Sequence, residues 1–370
     1  MRIALDARLT YYTQGGISQY IRQLACHLPA IDPENEYLIL HSRKDRETLD
    51  MPPNAHRVDC WTPAHHLLER TTLTMELVSR RPHLLHSLDF IPPRGGPWNS
   101  IITIHDLTFM HYPDFLTREA QRYYNGQIRA AVQRADAILA DSEATRQDIL
   151  DLLHVQPASV TTVHLAPHPR FQKQPSSKVA ALRRRLRLPT EYLLFVGTFE
   201  PRKNVAGLLH AYAAMRTDLP DAPCLVLAGS PGWLFDDTKL LVEELGLHQF
   251  VSFLPNLPSR DLPTLYTGAI LLILPSHYEG FGFPVLEAMA CGTPAVIANR
   301  ASLPEIAGGA ALQCNPNDPD SISHAMQLLL GNSSKRAELR EKGFARVREF
   351  SWASCCDKTL AVYQSVLGKQ

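Results

Sequence analysis

The sequence has no surplus of charge of either sign: 37 Lys and Arg stand against 37 Asp and Glu over 370 residues. A nucleic-acid partner usually calls for a basic excess that neutralises phosphates and releases counterions, so that class is set aside. Long apolar runs are also missing. Stretches such as 269–274 fall far short of the roughly 20 residues that cross a bilayer, so no span is expected and any membrane contact would be peripheral. The opening MRIALDAR lacks the charged, apolar and small-residue order of a secretory leader; the expected location is the cytoplasm, with attachment at the inner face of the membrane as an extension of that reading. Seven cysteines, odd in number and never spaced Cys-x-x-Cys, support neither a disulfide framework nor a structural zinc site. They read as reduced, mostly buried thiols.

What is present is 45% apolar content in a chain too long for one typical core, which points to two or three domains. Short β-branched or leucine-rich runs recur, each followed by a polar turn and a longer segment of helical spacing, the pattern of βα units on a parallel sheet. One series comprises 2–7, 37–41, 83–88, 100–105, 137–140 and 160–165; a second comprises 192–197, 224–228, 251–254, 269–274 and 294–298. The expected fold class is therefore α/β, with two doubly wound parallel sheets. The expected division is a first domain 1–168, a linker 169–188 that starts rich in proline and polar residues, a second domain 189–350, and a terminal helix 351–370 that packs back on the first domain. Ligands of such sheets bind beyond the carboxyl ends of the strands, and a cleft between the two domains is the expected place.

The loops at those strand ends carry the chemistry. Gly15 and Gly16 follow the first strand and lead into a helix, where paired glycines let a ligand approach helix amides; a simple tight turn explains them equally well. His105 ends a later strand, where it can donate to a bound hydroxyl or move a proton, with Asp106 beside it to fix the tautomer. A satisfied structural histidine is the plainer alternative, and a metal set of His105, Asp106 and His111 is too loose to favour. In Gly197-Thr-Phe-Glu-Pro-Arg202-Lys203-Asn204, two adjacent cations enter a helix against its dipole, which calls for an anion such as a diphosphate. In Glu279-Gly280-Phe281-Gly282-Phe283-Pro284-Val-Leu-Glu287, Pro284 suits a first helical turn and Gly292 its exit, so two acids meet at one helix mouth. Carboxylates accept from vicinal hydroxyls and the amides of 280–282 suit phosphate oxygens, which together read as a site for a sugar nucleotide. A dinucleotide fingerprint competes, but its third glycine is missing and the next strand ends in Asn299. Asp318-Pro-Asp320 looks like a metal motif and is read as a helix cap.

These motifs together make the chain resemble, over essentially its whole length, the retaining glycosyltransferases of family 4, which have the two-domain GT-B fold. The two glutamates separated by seven residues in Glu279-Gly-Phe-Gly-Phe-Pro-Val-Leu-Glu287, the Gly197–Asn204 segment and Ala290-Cys-Gly-Thr-Pro carry the likeness. The resemblance implies that Arg202 and Lys203 hold the donor diphosphate, that Glu287 binds ribose hydroxyls, and that Glu279 contacts the donor sugar. It further implies that Gly15 and Gly16 belong to a loop beneath the phosphates, that His105 lies near the sugar, and that no metal or other cofactor is required. Attack is then expected on the face the phosphate leaves, with the phosphate helping to take the acceptor's proton. The look of the chain is similar to bacterial mannosyltransferases of surface polysaccharide synthesis, which makes guanosine diphosphate mannose the first donor to consider, and a saccharide or lipid-linked saccharide the acceptor. Residues 61–81, and 178–188 with Arg183, Arg184, Arg185 and Arg187, read as solvated helix faces or as surfaces for such a lipid-linked acceptor. An acceptor-independent sugar-nucleotide hydrolase or epimerase is the rival reaction, and a silent binding subunit the third reading.

Overall fold

The computed structural model describes residues 1–12, 15–47, 49–66, 68–232 and 234–368. Two compact units emerge, Met1–Ala166 with Phe350–Gln370, and Pro167–Glu349.

The first unit is built on seven parallel strands: β1 (Arg2–Asp6), β2 (Glu36–Ser42), β3 (Ala55–Cys60), β4 (Leu84–Ser87), β5 (Asn99–Ile104), β6 (Ala137–Ala140) and β7 (Val160–Thr162), in the order β3-β2-β1-β4-β5-β6-β7. Helices cover both faces of such a sheet, so its inner strands are buried along their length; every residue of β4 and β6 is buried, His86 and Ser87 of β4 included. The helix Trp352–Leu367 belongs to this unit. It lays Trp352, Cys355, Cys356 and Tyr363 against the helix Gly16–Ile31 and the sheet, and the Tyr363 hydroxyl meets Nδ1 of the buried His86 at 2.6 Å.

The second unit holds six parallel strands: β8 (Tyr192–Val196), β9 (Cys224–Gly229), β10 (Val251–Pro255), β11 (Leu271–Leu274), β12 (Ala295–Ala298) and β13 (Leu312–Cys314), in the order β10-β9-β8-β11-β12-β13. In each sheet the order reverses beside its first strand, between β1 and β4 and between β8 and β11. Loops leaving the carboxyl ends of those neighbours run to opposite faces and open a crevice for a ligand.

The sequence reading differs from the fold at the edges. β3 and β13 were not anticipated, because an edge strand needs no continuous apolar run: β3 reads Ala-His-Arg-Val-Asp-Cys with only Ala55, Val58 and Cys60 buried, and β13 is three residues long. Residues 169–188 are not a free linker either. They contain the helix Ser176–Leu186, which buries Val179 and Leu182 against the helix Leu262–Gly268 inside the second unit. Its arginines are partly used at home, since Arg183 Nη2 donates to Gly268 O at 3.1 Å and Arg185 pairs with Asp261 at 2.6 Å. No helix among the described residues is long and apolar enough to cross a membrane.

Candidate active site

The second unit assembles the richer set. β8 runs into a single 3-10 turn, Pro201–Lys203, and then into the helix Val205–Asp218. Between them Asn204 adopts φ +54°, accepts from the Gly207 N–H, and donates through Nδ2 to Pro275 O at 3.1 Å and Pro316 O at 2.7 Å. A small amide tolerates the left-handed backbone and also caps the helix. One side chain thus ties the loop after β8 to the loop after β11, and the His277 N–H reinforces the tie by donating to Arg202 O at 2.7 Å.

Held in this way, Arg202 Nη1 donates to Glu279 Oε2 at 2.9 Å, while Lys203 Nζ donates one of its three N–H groups to Oε1 at 2.6 Å. Ser276 Oγ adds a third donor to Oε1 at 2.7 Å, and Arg202 Nε donates to Glu200 Oε2 at 3.1 Å. Burial alone would push the Glu279 carboxyl up, but Lys203 and Arg202 outweigh it and hold the group at about 2. Burial, aided by Arg202, lowers Lys203 despite the opposing Glu279. The anion that two adjacent cations require is therefore supplied by the protein itself, whereas the sequence alone assigned that place to a ligand. Glu279 sets the spacing of the two cations in advance.

Glu279 and Glu287 share one loop and helix but have separate partners. Glu287, the fifth residue of the helix Phe283–Ala290, accepts from the Tyr266 hydroxyl at 2.9 Å. Burial raises its carboxyl to about 7, with the Tyr266 bond and Arg170 pulling the other way. Gly282 caps this helix at φ +103°, where a Cβ would also sit 2.7 Å from Leu303 Cδ2, so the chain itself requires glycine there. Gly280 and Phe281 are buried; the Ser302 hydroxyl approaches both Glu279 O and Phe281 O at 2.8 Å, and the Phe281 ring packs on Phe283.

In the first unit, Gly15 precedes the helix Gly16–Ile31 at φ −96°, and a Cβ there would meet nothing within 4 Å. Neither conformation nor packing among the described residues demands glycine at 15, in contrast to 282. Gln14, which begins the same motif, lies outside the described residues. His105 follows β5, and its partner is not the neighbouring Asp106. Nδ1 meets Asp141 Oδ2 at 2.7 Å and Nε2 meets Leu88 O at 3.0 Å, while the Asp106 carboxylate accepts from the Thr108 N–H at 2.9 Å. With acceptors on both ring nitrogens, both carry protons. Burial disfavours that cation, but Asp141 prevails and the imidazole rises to about 9. Donation to a sugar would require Nε2 to exchange its bond to Leu88. The loose metal set does not assemble, because His111 pairs with Asp148 at 2.9 Å. Asp318 Oδ1 accepts from the Asp320 N–H at 3.0 Å and caps the helix Pro319–Gly331.

Sequence reasoning missed Asp141, Ser276 and Tyr266, together with a buried cluster of Asp6, Arg8 and Glu69. Asp141 had a legible signal, an acid at a strand end just before the N-cap Ser142. Tyr266 and Glu69 reach their partners only through tertiary contact, while Ser276 and Asp6 lie within three residues of Glu279 and Arg8.

Residues 14–166 match the model of Glycosyltransferase Family 4 and residues 181–346 that of Glycosyl transferases group 1. Over 387 aligned residues the chain is 32% identical to O-antigen chain mannosyltransferase B of Escherichia coli, covering 98% of this chain and 100% of that one. The chain is a family 4 glycosyltransferase. This glycosyltransferase is also 31% identical to the serotype-specific mannosyltransferase WbdA of Escherichia coli, over 71% of its own length and 33% of that longer protein. Its fold is GT-B; sucrose-phosphate synthase from Thermosynechococcus elongatus superposes with a TM-score of 0.82 at 19% identity over the whole of both chains.

Proposed function

We propose that this glycosyltransferase moves mannose from a nucleoside diphosphate mannose, guanosine diphosphate mannose first, to a hydroxyl of a saccharide or lipid-linked saccharide, with retention at the anomeric carbon. The observation that carries the reading is the clasp of Arg202 and Lys203 on Glu279 at the reversal point of the second sheet. Breaking a sugar–diphosphate bond puts negative charge on the departing phosphate and positive charge on the ring. Two cations already oriented by a buried carboxylate stabilise that phosphate without reorganising during the reaction. No metal is assigned a part.

Glu279, held at about 2, stays anionic at any ordinary pH. It therefore has no proton to donate, and with Lys203, Arg202 and Ser276 all on its oxygens it is a poor nucleophile. Retaining glycosidases need a carboxylate nucleophile about 5 Å from an acid. The saturated Glu279 favours instead attack from the face the phosphate leaves, with the phosphate accepting the incoming hydroxyl's proton. Glu287, whose Oε2 is fixed by Tyr266, offers its other oxygen to ribose hydroxyls. In the first unit, the amides at the helix start of Gly15 and Gly16 suit phosphate, and His105, whose charge is fixed, would reach a sugar oxygen by exchanging its Nε2 bond to Leu88 rather than by proton transfer.

The large exposed apolar side chains Trp61, Leu68, Met75 and Val78, near Arg80 and Arg81, support peripheral membrane contact at the cytoplasmic face. The test of the whole reading is incubation with guanosine diphosphate mannose and a mannoside acceptor, followed by NMR of the product's anomeric centre. An α-linked product is expected. Release of free mannose at the same rate without acceptor, or a β-linked product, contradicts it.

A further inference from the structure

The reversal point of the first sheet, between β1 and β4, holds a second buried site. Asp6 ends β1. Arg8, only 1% exposed, reaches Asp6 through Nε at 2.8 Å and Nη2 at 2.6 Å, Glu69 through Nη2 at 2.6 Å, and Thr62 O through Nη1 at 3.0 Å. Ser87 ends β4 and Asp89 follows it, with Asp89 Oδ2 at 2.9 Å from Nε2 of His65. The His65 N–H donates to Glu69 Oε2 at 2.7 Å, closing the ring of contacts. These side chains line a pocket of about 20 Å³, room for one water or one hydroxyl. Its floor is buried, and its rim at Ala64 and His65 reaches solvent.

Ser87 is 2% exposed and lines this pocket, yet its hydroxyl has no hydrogen-bond partner among the described residues. A buried hydroxyl left so is destabilising, and a polar group from outside removes that cost. The charges say which group. Three carboxylates, Asp6, Glu69 and Asp89, face one guanidinium and the His65 imidazole. Ionised carboxylates only accept, so they take hydroxyl donors and repel phosphate.

We propose that this pocket takes one hydroxyl of the acceptor's terminal sugar ring, with Ser87 and Asp89 as its contacts, and that it selects an uncharged saccharide over a sugar phosphate. Arg8 and Glu69 are positioning residues that hold Asp6, Thr62 and His65 around it. The inference rests on the transferase reading above, and its test is separable from it. Methyl α-mannopyranoside is titrated into the full chain, as wild type, Ser87→Val and Asp89→Asn, and followed by saturation-transfer NMR, with mannose 6-phosphate as rival and thermal melts as the check on folding. Wild type should bind the glycoside saturably, Ser87→Val about tenfold more weakly, and the phosphate about tenfold more weakly than the glycoside. Guanosine diphosphate affinity should stay level throughout. Should Ser87→Val melt early, Ser87→Ala removes the hydroxyl without adding bulk. No saturable binding to wild type, equal binding by well-folded variants, or tighter binding of the phosphate overturns the pocket. Glycoside binding that the variants lose, without transfer from any nucleotide sugar, overturns the transferase reading and leaves the pocket standing.

Discussion

The two sheets reverse their strand order beside the first strand of each, and the side chains gathered there differ in their balance of charge. At the second sheet two cations, Arg202 and Lys203, close on one carboxylate, with Glu200 on the outer side of Arg202. At the first, one cation, Arg8, is enclosed by Asp6 and Glu69, with Asp89 and His65 completing the wall. A shared topology thus fixes where a ligand binds, while the residues at the strand ends decide what charge it carries. The crevice with two cations suits a diphosphate and the one with three carboxylates suits hydroxyls.

The largest effect that tests this contrast is on catalysis. Lys203→Ala should cut turnover at saturating donor by about a hundredfold or more, the scale of losing one preorganised charge-stabilising donor, as steady-state kinetics would read. An unchanged rate would remove the cation from the chemistry. The mirror experiment acts on the other unit: Glu69→Ala strips one partner from the buried Arg8 and should cost on the order of 3 kcal/mol of stability in chemical denaturation. Its nucleotide affinity should be that of wild type, and a parallel loss of both would mean the two crevices do not act separately. A smaller effect concerns pH. Burial holds Glu287 at about 7, and only the ionised form purely accepts, so donor affinity should weaken as pH falls through about 7. Glu287→Gln should weaken donor binding about tenfold and flatten that pH profile, as calorimetry would record. The same raised carboxyl makes the native state hold its proton longer, so stability should decline as pH rises from 4.5 towards about 7, and Glu287→Gln should remove that slope.

Much of the fold was legible because buried parallel strands are written largely as apolar runs, and β8 and β11 stand out as such. Edge strands were not, and the Ser176–Leu186 helix was read as a solvated face, since two buried residues among several arginines leave no clear stripe. Within the site, residues adjacent in sequence were legible: Arg202 with Lys203, and Glu279 with Glu287. Their partnerships were not, because pairings such as Lys203 with Glu279 or Arg8 with Glu69 depend on strand order that local patterning does not encode. His105 shows the cost: its carboxylate is 36 residues away at Asp141, while the adjacent Asp106 faces the other way to cap a turn.

The central claim is that the Arg202–Lys203 clasp receives the diphosphate of an activated sugar. Isothermal titration of guanosine diphosphate into wild type and into a chain carrying both Arg202→Ala and Lys203→Ala tests it most directly. The account predicts tight binding to the first and at least a hundredfold loss in the second, the sum of two charged contacts at about 1.5 kcal/mol or more each. Equal affinity for the two folded chains would contradict it.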